Sequence, residues 1–250
     1  MNIVVPMKQI PDLQQLRIRN RKPIMEDVPL TFGKIDKNAL EAAVQLKEIH
    51  GGEVIAVSVG NEELEDTVKE AAAAGADRSY LVAEDDADNL ESTDAAKVLA
   101  EVIKKIDDVG LIIFGEGSGD NYSGQVGSRV AEMLDLPEIG SVTEIIINGN
   151  TVQAVKSLEN RIEVVEVQMP VVIMVAGDLN EPRLPSVTQV LKAGKKPKEL
   201  IELDDLDVQI DGNTVETLSN LAPEVNRKRI TVKSVGEIVE VLKNEGFMGR

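Results

Sequence analysis

Short apolar runs rich in β-branched residues alternate with stretches of helical periodicity through the first two thirds of the chain. The apolar runs cover residues 2–5, 53–59, 79–82 and 111–114. The helical stretches cover residues 37–49, 62–74 and 93–105. Each run has the length of a strand buried on both faces, and strand–helix alternation is typical of βαβ units. The sequence therefore predicts an α/β fold with a mainly parallel sheet flanked by helices.

The pattern changes after Pro137, where strands follow one another without helices between them. The predicted strands cover residues 141–147, 151–156, 161–167 and 171–175. Between the first two, Asn148-Gly149-Asn150 has the composition of a hairpin turn. We expect an antiparallel or mixed extension of the sheet here.

From Asp178 onward Pro, Lys and acidic residues dominate until a last predicted helix at residues 235–245. A loop-rich stretch on the order of fifty residues is improbable inside a compact domain. We therefore expect residues 178–229 to be an extended arm that lies on another protein. The sequence thus predicts two parts of the chain, an α/β domain at residues 1–177 and an arm at residues 178–250.

Composition narrows the range of functions. The formal net charge of −17 disfavours nucleic acid and anionic lipid surfaces as partners, because the long-range field repels both. With no Cys and a single His, thiolate chemistry and iron–sulfur clusters are excluded within this chain, and a metal site is not supported. No apolar run reaches the roughly 18 residues of a membrane span. We expect a cytoplasmic protein whose redox chemistry, if any, comes from a bound organic cofactor.

The most informative local feature is a Gly-rich turn between the strand at residues 111–114 and a helix beginning near Gln125. The turn reads GEGSGD at residues 115–120. Backbone N–H groups of such a turn and a helix N-terminus can bind one phosphate. The pattern matches neither G-x-G-x-x-G nor the P-loop, so a turn without a ligand remains an alternative.

Catalytic groups are scarce. His50 is best explained as a residue at the C-terminal end of a helix. Ser118 and Asp120 could resemble a nucleophile and its partner, but no base completes the set, and hydrogen bonding to a ligand suits them better. We expect no catalytic side chain and no metal ligand.

A second feature lies in the Pro-punctuated segment after residue 181. Leu184, Val187 and Leu191 have helix-like spacing between Pro182 and Pro197, and a basic stretch follows them. Such residues can simply pack on the rest of the chain. Their position between prolines favours an exposed docking element instead.

At these two features, and beyond them, the sequence resembles the electron-transfer flavoprotein β subunit family over nearly the whole chain. The motifs that carry the resemblance are KQIPD at residues 8–12, DKNALEAAVQLK at residues 36–47, DLNEPR at residues 178–183 and KKP at residues 195–197. The resemblance implies the adenine-nucleotide-binding fold of that family, electron transfer through a flavin, and an α subunit as partner. Residues 178–250 would then recognise a partner and wrap around the α subunit.

The Gly-rich turn departs from the mitochondrial type of the family and is closer to the branch linked to nitrogen fixation and carnitine metabolism. Members of the bifurcating branch hold a second FAD at this site, where NADH reduces it. Mitochondrial-type members hold a structural AMP instead, and the sequence leaves both cofactors open. Further partners would be a dehydrogenase, or quinone-reducing or iron–sulfur subunits.

The resemblance also assigns residues to the site. The adenosine part of the nucleotide would be held by Met7, Lys8, Asn38, Val59 and Gly60. The phosphates would be held by Gly115, Ser118, Asp120, Gln125, Val126 and Gly127. Leu184 falls in the segment with which the family recognises partner dehydrogenases. Two other classes remain as alternatives: a homodimeric nucleotide-binding module of the universal-stress type and an ATP-using adenylating enzyme.

Overall fold

The computed structural model describes residues 1–84, 90–212, 215, 218–225 and 227–247. Its strands are β1 (Asn2–Pro6), β2 (Gln9–Pro11), β3 (Arg17–Arg19), β4 (Lys22–Ile24), β5 (Leu30–Phe32), β6 (Glu53–Gly60), β7 (Arg78–Ala83), β8 (Val109–Gly115), β9 (Glu138–Asn148), β10 (Thr151–Leu158), β11 (Arg161–Gln168), β12 (Val171–Val175) and β13 (Lys198–Ile201). Its helices are α1 (Lys34–His50), α2 (Leu64–Ala74), α3 (Ser92–Lys104), α4 (Val126–Met133), α5 (Val187–Ala193) and α6 (Val235–Asn244), with a 3-10 turn at Leu203–Asp205.

One nine-stranded sheet organises the molecule, in the order β11-β10-β9-β12-β8-β1-β6-β7-β13. Neighbouring strands pair in parallel along the part β9-β12-β8-β1-β6-β7-β13. At the other end of the sheet, β10 pairs antiparallel with both β9 and β11. This architecture confirms the predicted α/β class, the mainly parallel sheet and its antiparallel extension.

Two apolar layers cover the faces of the parallel part of the sheet. On one face Ile3, Val54 and Leu111 pack with residues of α1 and α2, and on the other Val4 and Ile55 pack with residues of α3 and α4. All five side chains are fully buried. Burial on both faces explains why these strands are nearly continuous in apolar residues rather than alternating.

Strand β9 joins the parallel and antiparallel parts of the sheet. Its first half pairs in parallel with β12, as Ile139 with Ile173, and its second half pairs antiparallel with β10, as Ile147 with Val152. The strand begins at residue 138, three residues before the predicted start, and Ser141 has a φ of 57° where the pairing changes. The predicted hairpin turn is confirmed, with Gly149 at a φ of 62°.

The segment between β1 and α1 contains two small antiparallel pairs that sequence patterning did not predict. Strand β2 pairs with β5, and β3 pairs with β4. These strands are three residues long, which is too short for a periodicity of two to stand out from a loop.

The prediction of an extended arm at residues 178–229 is wrong for its first part. Helix α5 and strand β13 lie there, and β13 pairs in parallel with β7, as Leu200 with Leu81. Ala193, Ile201 and Leu206 are buried against the rest of the chain. Beyond residue 212 the described residues are mostly exposed, and α6, which confirms the predicted last helix, has no buried residue.

None of the helices in the described ranges combines the length and the apolar character needed to cross a bilayer.

Candidate functional site

A cleft of about 1060 Å³ opens at the carboxyl ends of β1, β6 and β8. The chain continues from β1 to β6 on one side, while β8 lies on the other, so the cleft sits at a point where the strand order reverses. Ligands of open α/β sheets bind at such points. The first turns of α3 and α4 form the opposite wall, and the positive ends of both helix dipoles therefore face the cleft.

Most of the predicted cofactor-binding residues lie together in this cleft. Those in its wall are Met7, Lys8, Val59, Gly115, Ser118, Gln125, Val126 and Gly127. They come from strands, turns and the start of α4, as far as 120 positions apart in the sequence, from Met7 to Gly127. The structure thus brings together the loops that the resemblance assigned to a nucleotide.

The three other predicted residues, Asn38, Gly60 and Asp120, are not part of this wall. Asn38 is fully buried, and its amide group donates to the backbone oxygen of Asn180 at 2.6 Å and to the side-chain oxygen of Asn180 at 3.0 Å. Gly60 lies against Gln9, whose side-chain oxygen occupies the place of a Cβ. Asp120 accepts a hydrogen bond from Lys8 Nζ at 2.5 Å. Asn38 and Gly60 are buried and support the wall of the cleft, whereas Asp120 is partly exposed beside Lys8.

The ion pair of Lys8 and Asp120 joins the end of β1 to the Gly-rich turn. Burial raises the pKa of Asp120, but hydrogen bonds from Lys8 and Ser118 outweigh this effect and leave the pKa below its usual value. Asp120 therefore stays ionised and neutralises the Lys8 ammonium. Close to it, the hydroxyl of Tyr122 donates to Glu116 Oε1 at 2.8 Å and folds the turn back on itself.

Asp36 is a residue of the cleft that the sequence reasoning missed. Its carboxylate accepts the backbone N–H of Lys8 at 2.8 Å and hydrogen bonds with the backbone of Gly115. A Cβ at Gly115 would lie 2.6 Å from Asp36 Oδ1, so this position requires glycine. Burial raises the pKa of Asp36 to about 7, although the bond from Lys8 and its charge act in the opposite direction. No local signal marks Asp36 as part of the site, because it meets Gly115, 79 positions away in the sequence, only in the folded chain.

Gly127 lies where it was predicted, but for a different physical reason. A Cβ at this position would lie 2.7 Å from Met174 Sδ and 3.5 Å from the Phe114 ring. It would point toward the sheet and not toward a phosphate. Glycine is therefore required here for the close packing of α4 on β8 and β12.

A polar cluster closes the other wall of the cleft. Gln125, immediately before α4, accepts hydrogen bonds through Oε1 from Arg129 Nη2 at 2.8 Å and from Ser92 Oγ at 3.2 Å. The cluster thereby connects the first turns of α3 and α4. Sequence reasoning named Gln125 but neither of its two partners.

Comparison with known proteins decides the family. The model of the electron transfer flavoprotein domain matches residues 24–206. The electron transfer flavoprotein subunit β of Bacillus subtilis is 38% identical over 210 residues, which cover 83% of this chain and 81% of the relative. The subunit β of Thermoanaerobacterium thermosaccharolyticum is 32% identical over 252 residues, which cover 98% and 96%. The chain belongs to the electron-transfer flavoprotein β subunit family.

A further relative is a subunit of a larger complex. The caffeyl-CoA reductase-Etf complex subunit CarD of Acetobacterium woodii is 32% identical over 209 residues, which cover 82% of this chain and 80% of the relative. The family assignment decides against the universal-stress and adenylating alternatives. Electron transfer is the function of the electron-transfer flavoprotein family, so the cleft belongs to a redox protein.

The segment that resembles the partner-recognition region of electron-transfer flavoproteins is exposed. The exposed fractions are 95% for Leu184, 79% for Val187 and 74% for Leu191, and Val190, which was not predicted, is also exposed. Ser186 begins α5 with a capping box that includes Gln189. The apolar side chains thus project from an ordered element.

The backbone before Leu184 is fixed to α1. Arg183 bonds Glu41 at 2.7 Å and Glu48 at 2.6 Å. The bonds to Glu48 and Glu41 raise the pKa of Arg183. Burial raises the pKa of Glu41, but hydrogen bonds from Arg183 and Gln45 outweigh it and lower that pKa overall. Together with the Asn38–Asn180 amide pair, this network holds Leu184 in its outward position.

Within the described ranges, no group of three or more His, Cys, Asp or Glu side chains could hold a metal ion.

Proposed function

We propose that the chain is the β subunit of a heterodimeric electron-transfer flavoprotein that holds FAD in the cleft, accepts electrons from NADH and passes them to partner redox proteins. The observation that carries this proposal is the size of the cleft in a chain of this family. Its volume of about 1060 Å³ lies just above the range of about 300–1,000 Å³ for ligand pockets. A mononucleotide such as AMP would fill only part of it.

The residues of the cleft suit a dinucleotide. The backbone N–H groups of the Gly-rich turn and of the first turn of α4 would bind phosphate, and Met7 and Val59 supply apolar contacts for the adenosine. A bound FAD would supply the redox chemistry by taking a hydride from NADH and releasing single electrons. The protein binds, orients and shields the cofactor, so none of its side chains has to act as an acid, base or nucleophile.

Two observations favour the bifurcating type over a simple relay. The Gly-rich turn resembles the branch linked to nitrogen fixation and carnitine metabolism, and the relative from Acetobacterium woodii is named as part of a reductase–Etf complex. The alternative is a relay flavoprotein in which the same cleft holds a structural AMP. We also propose that the heterodimer works in the cytoplasm, where NADH is available.

The α subunit is proposed to cover the arm that follows residue 212. Helix α6 exposes Val235, Ile238 and Leu242, which lie on one face at positions i, i+3 and i+7. The arm is anchored to its own chain at Arg21, which bonds the backbone oxygen of Ala222 at 2.8 Å and the carboxylate of Glu224 at 2.6 Å. A second anchor is Val215, whose backbone N–H donates to Glu91 at 2.7 Å. An apolar helix face that the chain itself leaves exposed fits the surface of a permanent partner.

The nucleotides released from the denatured heterodimer test the proposal. Chromatography with absorbance and mass detection should find two FAD per heterodimer. One FAD and one AMP would instead support the relay type. A purified heterodimer that releases one FAD and no second nucleotide would contradict a nucleotide role for the cleft.

A further inference from the structure

Few positive charges face the cleft. Among the residues that the structure describes, the only cations in its wall are Lys8 and Arg129, and Asp36, Glu91 and Glu116 also line it. The whole chain carries a formal charge of −17. The binding of a phosphorylated ligand therefore depends strongly on a cation in the wall that is not already neutralised.

Lys8 is already neutralised. Its ammonium lies 2.5 Å from Asp120, a carboxylate that stays ionised. A phosphate could use this ammonium only in competition with an ion pair that joins two walls of the site. Lys8 is for this reason a weak anchor for an anion.

Arg129 has no such partner. Its guanidinium donates from Nε and Nη2 to the neutral amide oxygen of Gln125, at 3.3 and 2.8 Å, and across the described ranges it forms no ion pair. Helical side chains lean toward the N-terminus, which places this guanidinium beside Gln125 at the start of α4. The bond to Gln125 fixes its orientation but leaves its charge and its remaining N–H donors available.

A guanidinium presents a rigid fork of donors that matches two phosphate oxygens. The backbone N–H groups of the Gly-rich turn and α4 can bind one phosphate. A ligand with one phosphate needs no further donor, whereas a diphosphate brings a second charged group that does. In a cleft lined by the carboxyl groups of Asp36, Glu91 and Glu116, that second charge requires a cation.

We propose that Arg129 binds the second phosphate of the nucleotide in the cleft, so that this site selects nucleoside diphosphate groups over monophosphates. The inference rests on the proposed nucleotide role of the cleft and adds the residue that sets its preference. Gln125 and Ser92 are positioning residues, since Gln125 holds the guanidinium, Ser92 in turn bonds Gln125, and neither supplies charge.

Calorimetric titration of the full-length chain, freed of bound nucleotide, with ADP and with AMP tests the proposal. The wild type should bind ADP about tenfold or more tightly than AMP, as expected for one charge-assisted contact. Arg129→Gln should weaken ADP binding by about tenfold or more and change AMP binding less than about threefold. Arg129→Lys should recover part of the ADP affinity, because it keeps the charge and loses the fork.

Lys104→Gln is the matched control, since it removes one positive charge from the exposed end of α3 and should change neither affinity. Equal losses for ADP and AMP in Arg129→Gln, or no loss for either, would overturn the role of Arg129. A wild type that binds AMP at least as tightly as ADP would overturn the selectivity while the nucleotide site itself stands. A wild type that binds neither ADP nor AMP would overturn both the selectivity and the nucleotide site. Only that result would contradict the proposed function. If Arg129→Gln does not fold, the ADP-to-AMP ratio of Arg129→Lys decides between the same outcomes.

Discussion

The buried carboxyl group of Asp36 joins two walls of the cleft, and its contribution to the free energy of unfolding depends on pH. Burial raises its pKa from 3.8 to about 7. Between these values the folded chain retains a proton that the unfolded chain has lost. Asp36 therefore contributes less to the free energy of unfolding as the pH rises through this window.

We expect Asp36→Asn to behave differently at the two ends of the window. Between pH 5 and pH 8, the difference in free energy of unfolding between variant and wild type should move by about 2.5 kcal/mol in favour of the variant. Urea unfolding of the nucleotide-free chain at several pH values measures it. Asp120→Asn is the control, because the pKa of Asp120 is lowered and its difference should stay constant across the same range. A difference for Asp36→Asn that is also constant would show that Asp36 does not titrate there.

Leu184 presents nearly its whole side chain to solvent, at 95% exposure, on a backbone that Arg183 fixes to α1. An anchor of this kind should matter in a complex and not in the isolated chain. Leu184→Ala should weaken the complex with the proposed partner dehydrogenase by about tenfold or more, since burying a Leu contributes about 1.5–3 kcal/mol. The dependence of electron delivery on dehydrogenase concentration measures this loss.

Nucleotide content and thermal stability should not change in Leu184→Ala. Ile162→Ala provides a comparison, because Ile162 is also exposed, at 72%, and lies on β11 at the opposite edge of the sheet from β13. Unaltered electron delivery by Leu184→Ala, or loss of its flavin, would exclude a docking role for this residue.

At the scale of elements, apolar patterning predicted the strands and helices that make the core. Strands β1, β6, β7, β8 and β12 are buried on both faces, so an unbroken apolar run marks each of them. Strand β13 was missed because it lies at the edge of the sheet and reads KELI, of which only Ile201 is buried. An edge strand needs pairing on one side only, and its sequence can look like a loop.

The segment from the Gly-rich turn to α4 also contains features that the sequence predicted and features that it did not. The resemblance assigned Gly115 and Gly127 to the phosphates, and the structure shows in addition that Gly115 has no room for a side chain beside Asp36. For Gly127 the position was found, but the direction of its missing side chain depends on how α4 packs on Met174. Composition alone carries no information about that direction.

At the scale of the whole molecule, two truncations separate folding from assembly. A chain ending at residue 177 loses β13 and the burial of Ile201 and Leu206, so we expect it to unfold with a free energy lower by several kcal/mol, at about 1.5–3 kcal/mol for each buried side chain. A chain ending at residue 212 keeps both. It should fold with nearly full stability but fail to associate with the α subunit.

Urea unfolding and co-purification after co-expression with the α subunit measure the two effects. Full-length chain treated in the same way is the reference. If the chain ending at residue 212 still co-purifies with the α subunit, the arm is not its main contact. If the chain ending at residue 177 is as stable as the longer one, β13 is peripheral to the sheet.

The sequence by itself determined the α/β class, the family and the Gly-rich turn, because periodicity, composition and ordered motifs are properties of neighbouring residues. Only the tertiary structure decided which side chains meet in the cleft. Lys8 reaches Asp120 across 112 positions, and Ser92 reaches Gln125 across 33. Such contacts depend on the order of strands in the sheet, which places β1 beside β8 and brings the starts of α3 and α4 together. Since that order results from packing of the whole chain, no local pattern could have revealed Asp36 or Arg129 as parts of one site.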